Sequence, residues 1–231
     1  MRTLILLIGL LNSTIVSAQK DCVKFLPYPN EIDMLMSPDD SISPIKTYRG
    51  ELEASGYKLG EKVLDFRFNT HYKYGVDLVD NERPKLLIAG SYTCPVFRNR
   101  IGLIDSLNRQ YRDKIDVYIV YVVEAHPNID KSPYRDSIWI TDQNVREGVL
   151  YPQPTTYQQR IDLANMMKTK LGFETTILVD NSNNDYWMHF GPAPNNAYLL
   201  DKNGFVVAKN TWVNHSIINS IDSFLAEAGA K

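Results

Sequence analysis

The sequence predicts an α/β fold: a central mixed sheet flanked by helices, with an N-terminal extension and a long insertion after the second central strand. Three observations carry this. Two apolar runs, Leu86–Ala89 and Ile115–Val123, read as strands buried on both faces. Between them lies a segment with helical periodicity, so the two strands are expected to be parallel, joined by a right-handed crossover. Near the end, two more apolar runs flank Asp201-Lys202-Asn203-Gly204, a hairpin turn.

The elements follow in order. Arg2, the run Leu4–Leu11 and the small residues ending Val16-Ser17-Ala18 match a secretory signal peptide over residues 1–18, cleaved near Ala18. The mature chain is therefore expected to be exported, periplasmic or secreted. No later segment approaches the roughly 20 apolar residues of a membrane span. Residues 19–56 carry Pro27, Pro29, Pro38 and Pro44 without sustained periodicity and read as an irregular arm ahead of a domain over 57–231. From Lys58 to Phe68 the alternation of Leu64, Phe66 and Phe68 with Val63, Asp65 and Arg67 predicts a half-buried strand, and Val76-Asp77-Leu78 its hairpin return. After Pro95 the spacing of Phe97, Ile101, Ile104, Leu107 and Tyr111 predicts one amphipathic helix. Residues 128–156 are loop-rich, interrupted by Pro133, Pro152 and Pro154, and are expected to form a lid or substrate wall. Thr156–Leu171 predicts a helix ended by Gly172, then a strand at Thr176–Asp180, a polar connection with three asparagines, the terminal hairpin, and a last helix over Ser216–Ala228.

Charge excludes some classes of function. A formal net charge of −2 with no basic cluster argues against nucleic-acid or membrane-surface partners. The two cysteines, Cys22 and Cys94, are too few for a disulfide scaffold or a cysteine zinc site, and His71, His189 and His215 show no metal-ligand spacing, so no metal and no bound cofactor are expected. One bridge between Cys22 and Cys94 is compatible with an oxidising compartment.

Cys94 draws attention because it stands at a strand-to-helix junction, with Pro95 suited to the first helical position. Free backbone N–H groups and the helix dipole favour an anion there, so the expectation is a thiolate of lowered pKa; the competing reading is an inert buried thiol. Glu124-Ala125-His126-Pro127 begins at the carboxyl edge of the second strand, where ligands bind in open α/β sheets. His126 suits a proton donor near neutrality.

The order strand, helix, strand, long connection with helix, strand, hairpin, helix is that of a thioredoxin-like domain. More specifically, Gly90-Ser91-Tyr92-Thr93-Cys94-Pro95-Val96-Phe97-Arg98, followed after the next strand by Glu124-Ala125-His126-Pro127, resembles the iodothyronine deiodinase family, which carries selenocysteine at the position of Cys94. The resemblance implies a thioredoxin-like fold and reductive removal of iodide from an aromatic ring with a thiol, or a thioredoxin-type protein, as reductant. It implies Cys94 as nucleophile, Glu124 and His126 as the groups that position and protonate, and Ser91, Tyr92, Thr93 and Arg98 as supporting residues. Three departures are visible: sulfur replaces selenium, Tyr92 stands where vertebrate members often have a second cysteine, and Gln153-Pro154-Thr155 lacks the family's second histidine. A thiol has the higher pKa and is the poorer leaving group on reduction, so slower deiodination is implied. Cys22 is the internal candidate for a resolving thiol. Two alternatives stay open: a peroxiredoxin-like peroxidase using Cys94, Ser91 and either Arg98 or Arg160, and a binding module that kept the fold without the chemistry. A homodimer is also left open.

Overall fold

The computed structural model describes residues 36–72, 75–80 and 82–229. The signal segment and Cys22 lie outside the described residues. Seven strands form one sheet in the order β2-β1-β5-β4-β3-β6-β7. They are β1 (Arg67–Thr70), β2 (Gly75–Asp77), β3 (Lys85–Gly90), β4 (Asp116–Tyr121), β5 (Thr176–Val179), β6 (Ala197–Leu200) and β7 (Val206–Asn210). The helices are α1 (Pro95–Arg98), α2 (Ile101–Tyr111), α3 (Asp142–Glu147), α4 (Tyr157–Leu171), α5 (Asp185–Phe190) and α6 (Ser216–Gly229).

The predicted parallel pair is present: β3 and β4 run in register from Lys85↔Asp116 to Gly90↔Tyr121, and β5 adds in parallel to β4. On the other side β6 joins β3 antiparallel, β7 joins β6 antiparallel, and α6 closes the chain. This is the thioredoxin-like arrangement, and it brings the carboxyl ends of β3 and β4 to one edge. Side chains alternate across the sheet: Leu86, Ile88, Ile119 and Ile177 pack against α2, α4 and α6, while Leu87, Ala89, Val120 and Leu178 face a second core with Phe68, Tyr186 and Phe190.

Three expectations need correction. Lys58–Phe68 is not one strand. Lys62 bridges Phe205 and the Val63 N–H donates to Gly204 O beside β7, whereas Arg67 to Asn69 pair with β2 at the opposite edge. The segment crosses from one side of the sheet to the other, so its alternation serves two different partners. The helix after Pro95 is two helices, because Arg100 N–H bonds back three residues to Phe97 O, a tight turn between α1 and α2. The polar connection and the insertion each contain a short helix. Asp180 accepts from Tyr186 N–H (2.8 Å) and Trp187 N–H (3.1 Å) at the start of α5, and Thr141 caps α3, which Gly148 ends in the left-handed conformation.

Residues 36–56 form no regular element. They lie as a strap over the carboxyl ends of β4 and β5: Ser41 bridges Thr156, Ile42 N–H donates to Thr155 O, Ser43 N–H to Ser182 O, and Tyr48 N–H to Pro133 O.

Gly90 is fixed by a close approach. A Cβ at this position would lie 2.3 Å from the Phe97 ring, which therefore seats α1 on the end of β3. Gly90→Ala is expected to cost about 1–3 kcal/mol through overpacking, read as a lowered chemical-denaturation midpoint at unchanged slope. A second expectation concerns His71, which is buried with Nδ1 3.1 Å from Ile177 O. Desolvation, with a smaller contribution from the Lys168 charge, lowers its pKa from 6.5 to about 4. Between those values the unfolded chain binds the proton and the folded chain does not, so stability falls as pH drops through this window, by about 3 kcal/mol in all. Denaturation midpoints at pH 7 and pH 5 should differ less in His71→Gln than in the parent chain.

Candidate active site

Cys94 is the N-cap of α1: its backbone is extended and Sγ accepts the Phe97 N–H at 3.5 Å. The helix-end geometry expected from the sequence is thus present. Its electrostatic consequence is not. Cys94 is 1% exposed, part of the hydrophobic core that also holds Tyr92, Phe97 and Tyr121, and burial pushes the thiol up to about 11. The N–H groups of Phe97 and Val96 act in the opposite direction but are outweighed, and the Glu124 charge adds to the rise. The expected thiolate of lowered pKa is corrected to a thiol that stays protonated at neutral pH. A capping interaction is a surface-scale effect, whereas removal of water from sulfur acts on the whole charge.

The two motifs are fastened to each other residue by residue. Past the last backbone pairing of β3 with β4, Val122 N–H donates to Gly90 O at 3.0 Å. Side chains then continue the ladder. Ala125 N–H donates to Ser91 Oγ (3.3 Å), His126 N–H to Thr93 Oγ1 (3.0 Å), and Thr93 N–H to Glu124 Oε2 (2.7 Å). Tyr92 N–H reaches Tyr121 Oη, which in turn donates to Glu124 Oε1. Ser91 and Thr93 therefore hold backbone rather than sulfur. Glu124 is fully buried; burial raises its pKa, while the hydrogen bonds from Thr93 and Tyr121 work the other way.

His126 is buried with its ring against Trp139, and Nδ1 lies 3.1 Å from Trp139 O. Burial lowers its pKa, the contact with the Trp139 carbonyl opposes this, and the Arg98 and Arg135 charges lower it further. The imidazole is neutral near pH 7. It starts as an acceptor of protons, which corrects the expectation of a ready proton donor.

Arg98 is committed elsewhere. Its guanidinium donates to Tyr92 O (2.6 Å), Asn144 Oδ1 (2.8 Å) and Glu147 Oε2 (2.8 Å), so it ties α1 to α3. Arg160 is equally occupied with Asp180 O, Asn181 O and Asn184 Oδ1. Tyr92 packs on Tyr151. The site contains partners that the sequence reading did not single out: Tyr121, Trp139, Asn144, whose Nδ2 donates to Thr93 O (2.9 Å), and Gln153, which holds both the N–H and the C=O of Glu124. Tyr121 could have been found by register, since it directly opposes Gly90. The others come from the insertion, where no periodicity points inward.

Beside these groups a cavity of about 310 Å³ lies between the strap and the site loops, lined by Ile42, Pro44, Val123, Gln153, Pro154 and Arg160 among others. Cys94 does not line it. Pro154, which stands in the stretch lacking the family's second histidine, is one of its walls. Among the described residues no group of three or more His, Cys, Asp or Glu could hold a metal ion, and no helix is long and apolar enough to cross a membrane.

A cysteine capping a helix at the carboxyl edge of a thioredoxin-like sheet, stitched to a Glu-Ala-His segment, is the arrangement of an oxidoreductase-type family. The family profile described as iodothyronine deiodinase matches residues 61–210, and the chain belongs to that family. It is 27% identical over 93 residues to thyroxine 5-deiodinase of Homo sapiens, covering 40% of this chain and 27% of that protein. It is 24% identical over 125 residues to thyroxine 5-deiodinase of Sparus aurata, covering 54% of this chain and 42% of that protein. The matched stretches thus span less than half the length of these relatives. Solved structures similar to the chain include the thioredoxin domain of a thiol-disulfide oxidoreductase from Bacteroides vulgatus, with a TM-score of 0.49, 12% identity and coverage of 73% of this chain and 99% of that one. Another is a thiol-disulfide oxidoreductase from Bacteroides fragilis, with a TM-score of 0.47, 11% identity and coverage of 73% and 99%.

A thiol of pKa about 11 predicts sluggish alkylation. In the native chain, iodoacetamide at pH 8 should modify Cys94 roughly a hundredfold or more slower than in urea, from the thiolate fraction alone. Peptide mass spectrometry of Cys94 over time checks this, and equal rates would show an open, ionised sulfur.

Proposed function

We propose that the chain is a thiol-dependent reductive dehalogenase acting on iodinated aromatic compounds, with Cys94 as nucleophile. The observation that carries this reading is the hydrogen-bonded ladder that fixes Glu124 and His126 against the loop bearing Cys94. Both deiodinase-like motifs are thereby parts of one site, and the family match covers both.

The resting thiol sets the order of events. Neutral His126, with Nδ1 occupied, takes the Cys94 proton at Nε2. The sulfur attacks iodine and the carbon–iodine bond breaks toward carbon, which receives the proton from His126. The balance is Ar–I + Cys–SH → Ar–H + Cys–S–I. An outside thiol displaces iodide as HI and leaves a mixed disulfide, and a second thiol restores Cys–SH with release of the external disulfide. Glu124 keeps Thr93 and Tyr121 in place throughout, and its raised pKa suits it to lend a proton. No bound cofactor is needed; the reductant is a small thiol or a thioredoxin-type protein. Because Cys94 is buried, substrate reaches it only as the surrounding loops part. Export after cleavage near Ala18 belongs to the same proposal.

The peroxidase alternative is disfavoured by the arginines: Arg98 and Arg160 are both bound to other acceptors, and neither hydrogen-bonds to Sγ. The test offers the full mature chain, with dithiothreitol, an iodinated phenol and hydrogen peroxide in separate reactions. Iodide release that is lost at least about a hundredfold in Cys94→Ser supports the proposal. Cys94-dependent peroxide consumption without iodide release overturns it in favour of the peroxidase.

A further inference from the structure

The insertion holds a feature that packing does not explain. Ile138 and Ile140 face solvent, whereas Trp139 between them turns inward. Trp139 belongs to neither hydrophobic core, and its ring contacts are with an imidazole and a guanidinium. The His126 and Trp139 rings meet edge-on with centroids 4.3 Å apart and planes at 82°. On the indole face the Arg135 guanidinium stands 3.7 Å from the ring centroid. The backbone carbonyl of Trp139 lies 3.1 Å from His126 Nδ1.

A carbonyl can only accept, so this contact places the proton on Nδ1 and leaves Nε2 with its lone pair. The stretch that delivers the carbonyl is pinned on both flanks to the catalytic loops. On one side Ser132 Oγ donates to Ala125 O (2.9 Å) and Ser132 N–H to Ser137 O (3.0 Å). On the other, Thr141 starts α3, whose Asn144 donates to Thr93 O. We propose that Trp139, clamped by Arg135, is a positioning residue for His126: it holds the imidazole as the Nδ1–H tautomer and leaves Nε2 as the ring's single acceptor. This rests on the reading of His126 as the group that receives the Cys94 proton.

The charges facing the ring agree. Arg98 from α1 and Arg135 from the insertion both disfavour an imidazolium, while the Trp139 carbonyl, as acceptor of the Nδ1 proton, pulls the other way without outweighing burial. A cation stacked on the indole does two things: it fixes the ring through cation–π attraction and adds positive potential beside the imidazole.

The test is nitrogen-15 NMR of the histidines in the full mature chain, with His126 assigned by His126→Gln. The parent should show the pattern of a neutral Nδ1–H ring. Trp139→Ala should lose that tautomer preference; Trp139→Phe, which restores an aromatic edge, should recover most of it. Arg135→Gln, which removes the cation that fixes the indole, should weaken it. That exposed residue is the variant that decides if Trp139→Ala does not fold. An unchanged tautomer in folded Trp139→Ala, or in Arg135→Gln, overturns the proposal. Iodide release is read separately. If the tautomer shifts as stated but no variant or parent releases iodide, the positioning role stands and the dehalogenase assignment fails.

Discussion

The structure of the site depends on a side-chain ladder that takes over where the β3/β4 backbone ladder stops. Parallel pairing ends at Gly90 and Tyr121, and beyond it the two chains would diverge into separate loops. Ser91, Thr93 and Glu124 replace the missing backbone partners with a hydroxyl, a hydroxyl and a carboxylate, each accepting an N–H from the facing chain. These groups are buried, so an unmet donor would cost about 1–3 kcal/mol each. The consequence is geometric. Cys94 and His126 sit on segments that cannot move independently, although no direct hydrogen bond joins sulfur to imidazole.

That same burial decides the electrostatics. A helix N-terminus stabilises an anion by roughly 0.3–1 kcal/mol at an exposed site. Enclosing a charge in hydrocarbon opposes it by more, and the thiol of Cys94, the carboxyl of Glu124 and the imidazole of His126 all shift toward their neutral forms. The resting site therefore holds a protonated thiol and a neutral imidazole beside a carboxyl group whose proton affinity is raised. Proton transfer within such a set creates no net charge, which suits chemistry in a closed, water-poor pocket.

Much of this was legible from residues alone. The apolar runs at Leu86–Ala89 and Ile115–Val123 gave the parallel pair, and the placing of Cys94 and Glu124 just past their ends gave the edge. Helix α4 was marked by Thr156 at one end and Gly172 at the other, and both act as caps. What could not be read was of three kinds. Periodicity cannot report a change of partner, so the crossing from Lys62 to Arg67 looked like one strand. Short helices held by a remote cap, as α5 is by Asp180, have too few residues to show a stripe. The sign of a pKa shift depends on the balance between capping and desolvation, and residue 94 is enclosed by a core assembled from segments far apart in sequence.

The insertion is where the site gets its outer partners. Trp139 meets the imidazole, Asn144 and Glu147 hold Arg98 and the Thr93 carbonyl, and Gln153 clasps both sides of the Glu124 peptide group. A loop that only bridged β4 to α4 would need no such contacts, and a lid that only excluded water would need apolar ones. Residues 139–153 instead hydrogen-bond to the Thr93 carbonyl, to the N–H and C=O of Glu124 and to the His126 ring, and through Arg98 they reach the Tyr92 carbonyl. The ladder sets where the reacting groups stand; the insertion sets which way they face, so a change of substrate within this fold is more readily made by altering the insertion than by altering either motif.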